Sequence, residues 1–198
     1  MKLTFNTFIG LFAFLSLQSQ TFAQGTTTLT FEGPPYLHSG SAIHVQSYSE
    51  AGFWFMPIPG TDGFVRQGGG ISFYPENGTT YLQATLGDSL MFATDDRSTF
   101  SLVSVDLAGY STVVPQVTAY FVGYRPDGST VNTSFPASGV TFQTYYFGPE
   151  FSGLTRVEMP DFGSLDNLVL SVPEPGTGAL LFLAGGVFAL RLIREKKT

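Results

Sequence analysis

Cysteine is absent from all 198 residues, so no disulfide staples the fold, and thiol catalysis, lipidation on cysteine and zinc–thiolate sites are excluded. Histidine is nearly absent: His38 and His44 are the only two, which removes most metal-hydrolase and histidine-base schemes. Between Gln24 and Val172 there is no lysine, and Arg66, Arg97, Arg125 and Arg156 are the only cations. Thirteen Asp and Glu lie in the same stretch, giving it a formal charge of −9. A surface of that sign repels phosphate backbones, so no nucleic-acid partner is expected. It suits solubility, or capture of divalent cations. From Gly25 to Ser171 no amphipathic helical pattern appears.

What is present at the ends reads as export and anchoring. Lys2, the apolar stretch from Phe8 to Leu17 and the small-residue site Thr21-Phe22-Ala23 before Gln24 predict a signal peptide over residues 1–23. An uncleaved anchor is the other reading; the short apolar stretch and the polar Gln18-Ser19-Gln20 after it favour cleavage. At the other end, Val172-Pro173-Glu174-Pro175 is stiff and extended, because each proline fixes its own φ and disfavours helix in the residue before it. An apolar run from Gly176 to Ile193 follows, broken only by Arg191. About 18 residues is the short end of a bilayer span, which predicts one transmembrane helix over about 176–193. Arg191 can snorkel to the interface, and Arg194, Lys196 and Lys197 complete the membrane stop. Positive charge stays inside, which places the preceding domain, residues 24–172, outside. An ordinary single-pass anchor is the alternative for this tail.

The Pro173-Glu174-Pro175 triplet, the Gly185-Gly186 pair within the span and the Arg/Lys end resemble, in that order, the PEP-CTERM sorting tail of Gram-negative bacteria, also called the ice-binding protein C-terminal domain. The resemblance covers residues 173–198. It implies passage through the secretion machinery and recognition by an exosortase, a membrane cysteine protease, with Pro173, Glu174 and Pro175 as the sorting motif. It also implies transient membrane anchorage, then residence at the cell surface or in the extracellular matrix. It does not imply ice binding: Thr26-Thr27-Thr28 is a β-prone start with no repeated Thr-x-Thr array behind it.

Between the ends, short β-branched and aromatic runs are broken by Gly, Pro, Asn and Asp. They predict twelve strands: 27–31, 42–48, 52–56, 70–74, 80–84, 89–93, 100–107, 116–124, 130–134, 141–147, 153–159 and 165–170. Asn77-Gly78 is a hairpin signal, and Pro126-Asp127-Gly128 is a tight turn. In 100–107, Phe100, Leu102, Val103, Val105 and Leu107 against Ser101, Ser104 and Asp106 put one face inside and one in water. The expected fold is all-β, a two-sheet sandwich of jelly-roll type. The runs Thr30-Phe31-Glu32-Gly33, Glu50-Ala51-Gly52-Phe53-Trp54-Phe55, Phe100 to Leu107, Phe151-Ser152-Gly153-Leu154 and Ser164 to Leu170 resemble, loosely, galactose-binding-like carbohydrate modules.

That resemblance implies a structural calcium where the first and last strands meet, with Glu32 and Asp166 as its acidic ligands; both acids solvated at strand ends is the plainer reading. Flat aromatic faces suit the apolar face of a pyranose, which nominates Trp54, Tyr145 and Tyr146, with Tyr74 beside them. Trp54 alternates against Phe53 and Phe55, so either it or the phenylalanines face the core, and core packing is the commoner fate of tryptophan.

No catalytic set assembles. Gly87-Asp88-Ser89-Leu90 spells the nucleophile block of GDSL esterases, but no histidine follows Ser89 to serve as base, and the layout is not alternating α/β. Asp95-Asp96 reads as a turn, since adjacent residues on a strand point to opposite faces and cannot flank one glycosidic bond. Gly68-Gly69-Gly70 has no helix or lysine after it and reads as a loop. The expectation is a non-enzymatic exported protein of the surface or matrix, binding polysaccharide or adhering. An exported hydrolase of matrix polymers and a purely structural envelope protein are the alternatives.

Overall fold

The runs rich in β-branched and aromatic residues form strands, and the Gly, Pro and Asp clusters between them turn the chain. The structure is a computed structural model that describes residues 24–61, 63–84 and 89–173. The expected signal peptide, Glu174, Pro175, the expected transmembrane helix, Arg191, Arg194, Lys196 and Lys197 lie outside the described residues. Among the described residues no helix is long and apolar enough to cross a membrane.

In chain order the strands are β1 (Gln24–Leu29), β2 (Ala42–Val45), β3 (Tyr48–Glu50), β4 (Phe53–Pro57), β5 (Phe64–Gly68), β6 (Thr80–Gln83) and β7 (Leu90–Thr94). Then come β8 (Ser101–Ala108), β9 (Gln116–Tyr124), β10 (Thr130–Ser138), β11 (Gln143–Tyr146), β12 (Arg156–Met159) and β13 (Ser164–Pro173). One 3-10 turn, Pro149–Phe151, precedes β12. Gly25–Val172 form one compact unit.

Two antiparallel sheets make a β-sandwich. The seven-stranded sheet runs β11-β8-β13-β6-β5-β2, with β1 also paired to β13; the six-stranded sheet runs β10-β9-β12-β7-β4-β3. The period of two along each strand sends alternate side chains between the sheets. Phe53, Phe55, Phe92, Val157 and Phe121 from one sheet meet Leu82, Leu102, Val105, Leu107, Leu165 and Leu170 from the other. Aromatic pairs fill much of this core, as with Phe55 stacked on Phe92 at 5.2 Å and Phe53 edge-on to Phe100 at 5.2 Å.

Most expected strands form, with shifted ends. The run 42–48 is two elements, β2 and β3, which belong to different sheets. Strand 70–74 does not form, and β5 at Phe64–Gly68 forms instead. The Asn77-Gly78 hairpin is also corrected. Gly68 pairs with Thr80, so residues 69–79 are one loop between β5 and β6. The Asn77 side chain folds back, its Oδ1 accepting from the Thr79 amide at 3.1 Å. The tight turn at Pro126-Asp127-Gly128 does join β9 to β10, with Gly128 at φ 82° donating to the Arg125 carbonyl at 3.0 Å.

Candidate functional site

The outer faces of the two sheets differ. On the seven-stranded sheet, Gln67, Tyr81, Gln83, Ser164 and Asp166 point away from the core, yet all are buried. Loops cover them. Gln83 donates to the Tyr110 carbonyl at 2.8 Å, Tyr81 packs edge-on to Phe142 at 5.2 Å, and Ser164 donates to the Gly109 carbonyl at 3.1 Å.

Asp166 is the centre of this covered face. It is fully buried, its Oδ2 accepts from Asn77 at 2.6 Å and Thr79 at 2.8 Å, and its Oδ1 accepts from the Asn167 amide at 2.7 Å. Burial pushes its carboxyl up to about 6; those three donors pull the other way, and the Asp106 carboxylate adds to the rise. Asn167, at a bulge in β13 with φ 45°, donates to Asp106 at 2.8 Å, and Thr144 of β11 donates to the same Asp106 at 2.5 Å. Glu32 accepts from the Thr80 amide at 2.5 Å and the Thr80 hydroxyl at 3.3 Å. Glu32 and Asp166 therefore grip consecutive residues, Thr80 and Thr79, from opposite ends of the chain. Glu76 takes the amides of Gly70 and Gly78, closing the loop on itself.

This set suits a divalent cation poorly. Calcium needs carboxylate oxygens free to point at one centre, whereas those of Asp166 and Glu32 already face N–H and O–H donors. Among the described residues no group of three or more His, Cys, Asp and Glu is placed to hold a metal. What the network does is fasten the loop 69–79 over the sheet.

A second buried polar cluster was not anticipated. Arg66 of β5 lies opposite Leu82, so its side chain points into the sandwich, where it is fully buried. Its guanidinium donates to the carbonyls of Phe31 at 2.6 Å, Gly33 at 2.6 Å and Pro35 at 3.0 Å, and lies over the Tyr48 ring at 4.4 Å. Burial lowers its pKa, which Tyr48, Glu50 and Glu32 oppose. Glu50 completes the clamp, accepting from the amides of Thr30 and Phe31 at 3.1 and 2.8 Å and from the Tyr48 hydroxyl at 3.0 Å. Burial, with the Glu50 carboxylate next, pushes the Tyr48 hydroxyl up to about 12. One signal was readable: Phe64 and Arg66 are two apart in a strand, hence on one face, in a region with only four cations.

The outer face of the six-stranded sheet carries exposed and half-buried side chains instead. Register aligns Trp54 of β4, Ala93 of β7, Arg156 of β12 and Tyr124 of β9 in one outward row. Met56, Met91, Glu158, Val122 and Asn132 form the next row. Arg156 bridges to Glu158 at 3.0 Å and lies over the Tyr124 ring at 4.1 Å, while the Tyr124 hydroxyl donates to Glu158 at 2.7 Å. Two residues before Val122, Tyr120 also points outward and is 46 % exposed.

The nominated aromatics are not brought together. Trp54 is half-buried on this outer face, so Phe53 and Phe55 are the core residues and the core placement of Trp54 is corrected. Tyr145 points inward from β11 onto Phe135 at 5.1 Å, and its hydroxyl donates to the Pro136 carbonyl at 2.5 Å. Tyr146, 74 % exposed, points outward from the other sheet. Tyr74 packs edge-on to Tyr110. Ser89 is buried, its hydroxyl 3.4 Å from that of Thr61, while Gly87 and Asp88 lie outside the described residues. Asp95-Asp96 forms the expected turn, with Asp96 accepting from the Ser98 amide at 2.9 Å.

Neither the protein-family models nor the curated proteins contain a match to this chain.

Proposed function

We propose that this chain is a non-enzymatic, exported surface or matrix protein whose sandwich, of jelly-roll type, binds polysaccharide. The carrying observation is the difference between the two outer faces: one covered by loops over Gln67, Tyr81, Gln83, Ser164 and Asp166, the other presenting Trp54, Tyr124 and Tyr120 among polar side chains. Aromatic rings interleaved with amides, hydroxyls and an ion pair are what sugar rings require, an apolar face to stack on and edges to hydrogen-bond. The jelly-roll reading is supported by a chain that crosses repeatedly from sheet to sheet, as at β4 to β5, β6 to β7, β7 to β8 and β8 to β9.

Sorting is the second part of the proposal. Pro173-Glu174-Pro175 and the apolar, cation-ended run after it form the proposed PEP-CTERM tail, cut by an exosortase. Two measurements test the whole. Fractionation of cells with and without the sorting protease, followed by mass measurement of the C-terminus, should show the basic end retained only without the protease. Incubation of the full chain with insoluble and soluble polysaccharides should give saturable binding; none to any of them refutes the binding part.

A further inference from the structure

Two cavities open on either side of the Tyr120 ring. One, about 520 Å³, is lined by Tyr110, Gln116, Thr118, Tyr120, Asp161 and Phe162 among others. The second, about 550 Å³, is lined by Tyr120, Val122, Asn132, Ser134 and Pro160 among others. Tyr120 and Pro160 belong to both, so the pair is one cleft with an aromatic divider. Each half falls in the size range of small-molecule sites. The strand period explains the arrangement: Thr118, Tyr120 and Val122 alternate outward along β9, while Ala119 and Phe121 enter the core. Directly across on β10 stand Pro136, Ser134 and Asn132, one opposite each. Cross-strand neighbours sit about 5 Å apart, within reach of one bound ring.

We infer that this cleft is a binding site for a linear neutral polysaccharide, with Tyr120 as the stacking platform between two sugar subsites. The inference rests on the polysaccharide reading above and gives it a place and a ligand class. Three observations favour this occupant. Tyr120 is 46 % exposed although it stands in a sheet whose neighbouring outward residues supply amides and hydroxyls. Among the described residues lining both halves there is no lysine or arginine, and Asp161 is the one acid, so an acidic glycan would meet no counter-charge. The domain's formal charge of −9 opposes such a polymer further. The two halves meet at Tyr120, which suits a chain that passes through better than a terminal sugar held in a closed pocket.

The test uses the full chain, kept soluble in a non-ionic detergent with no sugar headgroup, in native gels. The gels contain galactomannan, mixed-linkage β-glucan, hydroxyethylcellulose or, as the acidic arm, alginate. Retardation by at least one neutral polymer and none by alginate is expected. Tyr120→Ala should weaken that retardation about tenfold, the effect of truncating an anchor residue. Tyr120→Phe keeps the ring and should stay within about threefold of the parent, having lost only a hydroxyl. Tyr36→Ala, an exposed aromatic on a loop outside the cleft, should bind as the parent does. Retardation unchanged in Tyr120→Ala, or weakened as much in Tyr36→Ala, overturns the cleft while the polysaccharide reading stands. Retardation by alginate alone overturns the ligand class. No retardation of the parent by any polymer overturns both.

Discussion

Replacing Asp166 by asparagine isolates the charge that the covered sheet face has to accommodate. Asp166 is fully buried, and its carboxyl lies at about 6 against a reference of 3.8, burial being the main cause. A raised acid pKa means that the folded state holds this proton more tightly than the unfolded chain. Below the reference value both states hold it, and Asp166 contributes no pH dependence. As pH rises from there to about 6 the unfolded chain releases its proton first, so stability falls; above that window the penalty is complete. A shift of roughly two units at 1.36 kcal/mol each makes the full penalty about 3 kcal/mol. Asp166→Asn carries no charge at any pH and lacks this slope. It also turns one acceptor into a donor against Asn77, Thr79 or Asn167, a pH-independent loss of about 1–3 kcal/mol. The difference between parent and variant therefore shifts by about 3 kcal/mol in favour of the variant between about pH 4 and pH 7, whatever the constant offset. Urea unfolding of both proteins across that range, read by circular dichroism, measures it. Free energies that run parallel within about 0.5 kcal/mol would refute the account of Asp166 as a buried, strained carboxylate.

Other predictions follow from the same geometry. Arg66→Met leaves the carbonyls of Phe31, Gly33 and Pro35 without their donor and should destabilise the domain by about 3 kcal/mol in urea unfolding. Phe55→Ala should cost about 4 kcal/mol, while Trp54→Ala, outward on the same strand, should cost clearly less; equal losses would contradict the assignment of faces. Thermal melts in calcium and in chelator should coincide, because donors already occupy Asp166 and Glu32; a higher melting temperature in calcium would restore a cation between them.

Legibility followed the physics of each segment. β9 was readable end to end as Gln116–Tyr124, since alternation along it is clean and the turn after Tyr124 is marked by proline and glycine. β5 was missed because Gly68-Gly69-Gly70 ends it. The strand expected at 70–74 falls in the loop, which is instead held by Glu76, Asn77 and Thr79. That loop is set by tertiary hydrogen bonds to β13, which no local pattern encodes. Glu32 and Asp166 are expected as cation ligands, and the structure sets them against Thr80 and Thr79. Their partners, however, are donors of the chain itself, and choosing between a cation and an N–H needs three-dimensional placement. The aromatic platform was readable in part: alternation puts Tyr120 and Tyr124 opposite Phe121, yet the nominated Tyr145 and Tyr146 lie on β11, an edge strand where Tyr145 closes the core, and Tyr74 lies in the loop 69–79.

β13 has hydrogen-bonded neighbours on both sides: β8 pairs with it from Ser164 to Ser171, β6 with Ser164 and Leu165, and β1 pairs with the same strand. Any tether attached beyond Pro173 would thus load the interior of the sheet first, not a peripheral flap. Force applied along that strand meets the β8 ladder in shear, from Ser164 opposite Ala108 to Ser171 opposite Ser101, so many bonds must yield together. A protein held by that end would resist being stripped from its support far better than one hung from an edge.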